Sequence, residues 1–183
     1  MNSAALADAV TALRKGNVIA YPTEAVWGLG CDPDNPRALE RLFALKARHS
    51  AKGVILIAGN IAQIEAWLVG LDTVLRQRLL DSWPGPITWL VPNNGRSHPL
   101  VCGQHDKVAL RVSSHPVVQA LTNAFGGPIV STSANRSGSS PIASADAIRK
   151  EWRDDVVIVS GALGGRDRPS RICDLLTGDV LRR

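Results

Sequence analysis

The chain has 183 residues, 45% hydrophobic and 20% charged, with a mean hydropathy near zero, which excludes a disordered, fibrous or collagen-like protein. No apolar run approaches the roughly 18 residues needed to span a bilayer, and Met1 to Arg14 lacks the basic leader and apolar core of a secretory signal. The sequence therefore predicts one cytoplasmic domain over residues 1–183 with no membrane association. Twenty-one Lys and Arg against sixteen Asp and Glu give a net charge of +5, which favours nucleotides, phosphates or RNA as partners without choosing among them.

In chain order, Ala4 to Lys15 is predicted as a helix capped by Ser3 and stopped by Gly16. Val18 to Tyr21 is a short strand ending at Pro22. Asn35-Pro36 starts a second helix, with Pro at the first helical position. Leu39, Leu42, Phe43 and Leu45 form its apolar face as far as Lys46. Val54 to Ala58 is a buried strand. Asn60 and Asp72 cap two further helices, the second ending near Trp83-Pro84-Gly85-Pro86. Ile87 to Val91 and Val108 to Val112 are strands joined by a polar loop.

Pro116 to Phe125 is helical and ends at Gly126-Gly127. Pro128 to Ser131 is a strand running into Thr132-Ser133-Ala134-Asn135. Ser144 caps a helix through Trp152, and Val156 to Val159 is a strand. Ile172 to Leu175 and Val180 to Arg182 flank Thr177-Gly178-Asp179 as a closing hairpin. Interspersed strands and helices predict an α/β fold of three layers, with helices on both faces of a sheet. The mixture of short and long connections predicts a mixed parallel and antiparallel sheet.

Several chemistries are not supported. Cys31, Cys102 and Cys173 are scattered and odd in number, as expected of inert reduced thiols. The four histidines show no metal-ligand spacing. There is no G-x-x-x-x-G-K-[ST] phosphate loop, and Gly28-Leu29-Gly30 is only half of a dinucleotide fingerprint. No G-x-S-x-G nucleophile elbow is present.

What remains is a set of polar islands at the ends of apolar strands. Thr23 and Glu24 follow the first strand, where they either bind a small polar ligand or cap a turn. Lys46, Arg48, His49 and Lys52 crowd the end of the second helix. Lys46 and Arg48 would lie about 200° apart on a continuing helix, so both meet one ligand only if the helix ends there. The alternative is an exposed helix end whose cations complement the macrodipole. Ser131, Thr132, Ser133 and Asn135 make poor core, because each buried polar group needs a partner. They form either a ligand cradle or a Ser/Thr turn. Arg111 lies on the face of its strand opposite Leu110 and Val112. Ser170 and Thr88 are further hydroxyl candidates.

Taken in order, Tyr-Pro-Thr-Glu at 21–24 with Gly28-Leu29-Gly30, Lys-x-Arg at 46–48, Trp-Pro-Gly-Pro at 83–86, Ala-Leu-Arg-Val at 109–112 and Ser-Thr-Ser-Ala-Asn-x-Ser-Gly at 131–138 resemble the YrdC (TsaC) family of L-threonylcarbamoyladenylate synthases. The resemblance covers the chain from Val18 to about Leu176 and looks like the short, single-domain form. It implies a twisted mixed sheet with a basic concave cavity. It also implies conversion of L-threonine, bicarbonate and ATP, carried with Mg2+, into threonylcarbamoyl-AMP and pyrophosphate by a nucleotidyltransferase. The product then modifies the adenosine beside the tRNA anticodon, with TsaD, TsaB and TsaE downstream and contact with tRNA or double-stranded RNA expected.

Carried over by motif, Lys46 and Arg48 would be catalytic. ATP would be held by Lys46, Arg48, Ser50, Ser133, Asn135, Pro141 and Ser170, and threonine by Thr23, Arg111 and Ser131. The chain departs from the family pattern at Ala25 and Trp27, which replace Thr and Tyr, at His49 in place of Pro, and at Arg171 in place of Thr. Two rival readings remain. One is a carbamoyl-adenylate handling domain of the kind found in hydrogenase maturation. The other is an RNA-binding or ribosome-assembly module, for which salt-sensitive RNA affinity without ATP turnover would speak.

Overall fold

The computed structural model describes residues 3–182. The first helix, α1 (Ser3–Arg14), begins on Ser3 itself, so Ser3 lies in the first turn instead of capping it. Strand β1 (Ile19–Pro22) turns back tightly into β2 (Trp27–Gly30), an element the sequence reading missed. Helix α2 (Pro36–Leu45) starts where expected, with Asn35 Oδ1 accepting from the amides of Arg37 and Ala38. A 3-10 turn at Ser50–Lys52 leads into β3 (Ile55–Ala58). The segment capped by Asn60 is a 3-10 helix, Ile61–Trp67, before α3 (Thr73–Ser82) and β4 (Ile87–Pro92).

Within the predicted polar loop lies a one-turn helix, α4 (Pro99–Cys102), followed by β5 (Lys107–Val112). Helix α5 (Pro116–Phe125) closes on Gly126 at φ 95°, a left-handed cap that suits glycine. Strand β6 (Ile129–Ser133) runs two residues beyond the expected end, taking Thr132 and Ser133 into the sheet. Helix α6 (Ala145–Trp152), the short β7 (Val157–Ile158), β8 (Arg171–Asp174) and β9 (Val180–Arg182) complete the chain.

The nine strands among the described residues form one mixed sheet in the order β7-β1-β2-β6-β3-β5-β4-β8-β9. The β1/β7, β3/β5 and β4/β8 pairs are parallel and the other five antiparallel. Successive side chains on a strand point to opposite faces, so each strand divides its residues between two environments. On one face Ala20, Leu29, Leu56, Val91, Leu110 and Val130 pack with residues of α2, α3, α4 and α6 in the larger core.

On the other face Ile19, Tyr21, Ile57 and Ile129 pack under α1 and α5 in a smaller core. Those two helices cover only part of that face. Farther along it, on the same strands and their neighbours, lie Ser131, Ile55, Ala109 and Leu90, side by side in register. This uncovered stretch is the floor of the cavity.

The glycines of β2 have a steric reason. A Cβ on Gly30 would sit 2.4 Å from the Val130 carbonyl oxygen and 2.9 Å from the Tyr21 ring. Gly28-Leu29-Gly30 is therefore a close-packed strand and not part of a nucleotide loop. No helix among the described residues is long and apolar enough to cross a membrane.

Candidate active site

The cavity has a volume of about 680 Å³ and draws on residues from Thr23 to Arg182. Eight of the ten residues singled out from the sequence line it: Thr23, Arg48, Arg111, Ser131, Ser133, Asn135, Pro141 and Ser170. Lys46 and Ser50 do not. Seven Lys and Arg side chains and three carboxylates line the walls. Glu24 faces Arg111 and Asp174 faces Lys107, at 2.7 and 2.5 Å, while Arg48, Lys52, Arg166, Arg168 and Arg182 have no carboxylate partner among the described residues. A groove with more positive than negative groups between low-dielectric walls favours anions.

The end of α2 sets the first part of the site. Ala47 adopts φ 47°, which costs an alanine about 1–2 kcal/mol. The reversal is closed by Ala47 N donating to Ala44 O and Arg48 N donating to Phe43 O, a Schellman arrangement. It sends Lys46 and Arg48 in different directions, so the ending of the helix does not bring both side chains onto one ligand. Arg48 reaches the cavity, its Nη2 donating to Gly53 O at 2.9 Å.

Lys46 turns inward and is 2% exposed. Its ammonium donates to the carbonyls of Ser133 and Asn135, and its own carbonyl accepts from Ser137 N at 3.1 Å. Lys46 thus ties the loop after β6 to the end of α2, and the exposed helix end expected from the sequence is wrong for it. Burial, and then the charge of Arg48, push its ammonium down to about 8. Ser50 sits on the adjoining 3-10 turn and lines a neighbouring surface depression with Glu40, Phe43 and Arg48, the last of which also lines the cavity.

The second part comes from β6. Ser131 and Ser133 project from alternate positions of the strand onto the cavity face, followed by Asn135. Asn135 Nδ2 donates to Arg136 O and Ser139 O at 3.0 and 2.6 Å. Its Oδ1 is buried without a hydrogen-bond partner among the described residues, as is Arg48 Nε. One unmet acceptor and one unmet donor in the same cavity each carry a desolvation cost of about 1–3 kcal/mol, which a polar ligand would relieve.

The third part is the β1–β2 turn. Thr23 Oγ1 donates to Val26 O at 2.7 Å, and Thr23 N donates to the same oxygen at 3.2 Å. The turn-capping alternative therefore describes Thr23, although its oxygen keeps acceptor capacity toward the cavity. Glu24 does something else. One carboxylate oxygen accepts from Ser113 Oγ at 2.8 Å and the other lies against Arg111.

Arg111, on the cavity face of β5, also donates from Nε to Gly85 O at 3.3 Å. Its predicted side of the strand is correct, but that side is a lined cavity and Arg111 is only 8% exposed. Burial raises the Tyr21 phenol well above its usual value, with Ser131, Arg111 and Glu24 all close enough to act on it.

A strap formed by residues 161–170 crosses this end. Gly164 N and Arg166 N donate to Thr23 O and Glu24 O at 3.1 and 2.9 Å, and His115 Nε2 meets Ala162 O at 3.1 Å. The strap carries Arg166 and Arg168 to the wall and delivers Ser170, whose hydroxyl lies 2.8 Å from Thr88 Oγ1. Arg182 Nη2 donates to Ser170 O at 2.7 Å. Desolvation, then the charge of Arg111, lower Arg182 from its ordinary value. Arg171, the departure beside Ser170, is exposed on the outer side.

Lys52 was noted only among the cations at the end of the second helix, and Arg166, Arg168 and Arg182 were not singled out as site residues. The excess of basic residues was the one signal for these three, and it has no address. All three cysteines are buried free thiols.

A sequence model of the Sua5/YciO/YrdC family, described as telomere recombination, matches residues 11–183. The threonylcarbamoyl-AMP synthase of Chromohalobacter salexigens is 60% identical, over 97% of this chain and 96% of its own length. That of Cellvibrio japonicus is 52% identical, over 95% and 93%. The crystal structure of P. abyssi Sua5 complexed with L-threonine superposes with a TM-score of 0.84 at 26% identity, covering 92% of this chain and 50% of that one. Since the match runs from within α1 to the end of the sequence, the chain belongs to the Sua5/YciO/YrdC family.

Proposed function

We propose that this chain condenses L-threonine, bicarbonate and ATP into threonylcarbamoyl-AMP and pyrophosphate. The observation that carries the reading is a cavity rich in cations and hydroxyls in a chain 60% identical to a threonylcarbamoyl-AMP synthase. Threonine's amine takes up bicarbonate with loss of water to give a carbamate. A carbamate oxygen then attacks the α-phosphorus of ATP, and pyrophosphate leaves. The nucleophile is already an anion and the leaving group a good one, so the site must position and neutralise charge more than move protons.

Arg111, Ser131 and Thr23 form the threonine end. Thr23 Oγ1 has committed its proton to Val26 O, so toward a substrate hydroxyl it acts only as an acceptor. Arg48, Ser133, Asn135, Pro141 and Ser170 form the ATP side. Arg48 supplies charge at the phosphates, and Lys46 holds the Ser133–Asn135 loop beside them. Ser50 does not line this cavity but shares a neighbouring depression with Arg48.

No group of three or more His, Cys, Asp or Glu among the described residues is arranged to hold a metal, and Glu24 and Asp174 already face cations. Magnesium therefore enters on the ATP phosphates as part of the substrate. Delivery of the product to tRNA adenosine through TsaD, TsaB and TsaE in the cytoplasm, with direct contact to RNA, follows from the family resemblance.

The test is incubation with ATP, L-threonine and bicarbonate, followed by mass detection of the adenylate. A product requiring all three substrates is the expected result. ATP turnover indifferent to the amino acid would overturn the assignment.

A further inference from the structure

We infer that Glu24 is an amino-acid binding residue of the threonine pocket, with Arg111 and Glu24 acting as a matched pair that reads the substrate as a zwitterion. The inference rests on the placement of threonine at Arg111 proposed above. Both side chains line the cavity, with exposures of 9% and 11%, and Arg111 Nη2 lies 2.7 Å from Glu24 Oε2. Ser113 Oγ donates to Oε1 at 2.8 Å. Oε2 is buried and receives no hydrogen bond from the described residues, its contact with Arg111 being the 2.7 Å ion pair. The carboxylate thus has one oxygen fixed from behind and one with acceptor capacity to spare.

A buried, neutral ion pair is a poor receptor for a lone carboxylate, since an anion drawn to Arg111 also meets the charge of Glu24. A zwitterion resolves the conflict. Its carboxylate faces Arg111, its ammonium faces Glu24 Oε2, and four charges alternate around a ring. Free threonine is a zwitterion at neutral pH, and its carbamate keeps one N–H that still donates to Glu24. Once the amine takes up bicarbonate its positive charge is lost, so the pair reads the free amino acid.

The experiment titrates the protein, without ATP or bicarbonate, with L-threonine and with the matching 2,3-dihydroxybutanoate, which has a hydroxyl in place of the ammonium. Wild type should bind threonine about tenfold or more tighter than the hydroxy acid. Glu24→Gln, which keeps the bond to Ser113, should weaken threonine by about the same factor and leave the hydroxy acid unchanged or tighter. Equal affinities in wild type would overturn the proposal without any variant. Equal weakening of both ligands by Glu24→Gln would also overturn it, showing a support for Arg111 alone. Threonine-dependent adenylate formation with no discrimination against the hydroxy acid would leave the proposed function standing and remove Glu24 from recognition. Absence of threonine binding and of threonine-dependent turnover in wild type would remove both.

Discussion

Strand β6 passes through two regions of one sheet face that share a backbone but not a fate. Ile129 is fully buried among Val118 and Leu121 of α5 and Ala9 and Leu13 of α1. Two and four residues later, on the same face, Ser131 and Ser133 line an open cavity. Strand β3 makes the same transition in the opposite direction, from half-buried Ile55 on the cavity floor to Ile57, 1% exposed under the helices. The difference lies in what helix docking can repay. Apolar side chains gain roughly 25 cal/mol per Å² from being covered, whereas hydroxyls and guanidinium groups covered without partners lose free energy. The sheet therefore accepts helices at one end and a ligand at the other.

Substitutions along these strands break the comparison in graded ways. The largest effect is expected from Ile129→Ala. It should cost about 2–5 kcal/mol of stability by opening a cavity under α5, read as a lower urea midpoint, with the ATP affinity of the folded protein little changed. A matching loss of ATP affinity would mean that the two regions are not separable.

Lys46→Ala and Arg48→Ala come next, and the structure separates them. Arg48→Ala should lower kcat/KM for ATP by about ten- to a hundredfold, the value of a charge-assisted bond of about 1.5–3 kcal/mol, and Lys46→Ala should lower it by loosening the Ser133–Asn135 loop. Lys46→Ala should in addition lose about 1–3 kcal/mol of stability, because it strands the Ser133 and Asn135 carbonyls. Arg48→Ala should stay within about 0.5 kcal/mol of wild type. Equal melting temperatures for the two variants would contradict the buried position of Lys46.

Ser133→Ala is the smallest change, on the strand that begins with Ile129. Stability should move by no more than about 0.5 kcal/mol. Turnover should fall by about three- to tenfold, as for one neutral hydrogen bond. Unchanged turnover would show that this hydroxyl does not meet the substrate.

Elements with a local cause were legible. Asn35, Asp72 and Ser144 each cap the helix assigned to them by accepting an amide two or three residues on. The closing hairpin forms as β8 and β9, with Gly178 at φ 82° in its turn. Strand β2 escaped because two of its four residues are glycines, which weaken any strand pattern. Their cause is Tyr21 and the Val130 carbonyl, neighbours known only once the sheet is assembled. Helix α4 escaped because one turn is too short to show a period. Its packing depends on a nonlocal approach, with a Cβ on Gly53 lying only 2.7 Å from Val101 O.

The sequence by itself determined the alternation of helices and strands, the mixed sheet, and eight residues of the cavity lining, six of them through motifs in register. Residue type and spacing along one chain carry that much, since caps, apolar periods and motif order are local. Only the tertiary structure decided which cations share a wall. Arg48, Arg111, Arg166 and Arg182 meet because β3, β5, β4, β8 and β9 lie next to one another and the strap of residues 161–170 folds back on the β1–β2 turn. It also decided that Lys46 faces inward and Arg48 outward, through the left-handed turn at Ala47. The physical reason is common to both. Charge and hydrogen bonding act over a few ångströms of space, and a sequence fixes such distances only within a turn or two of its own backbone.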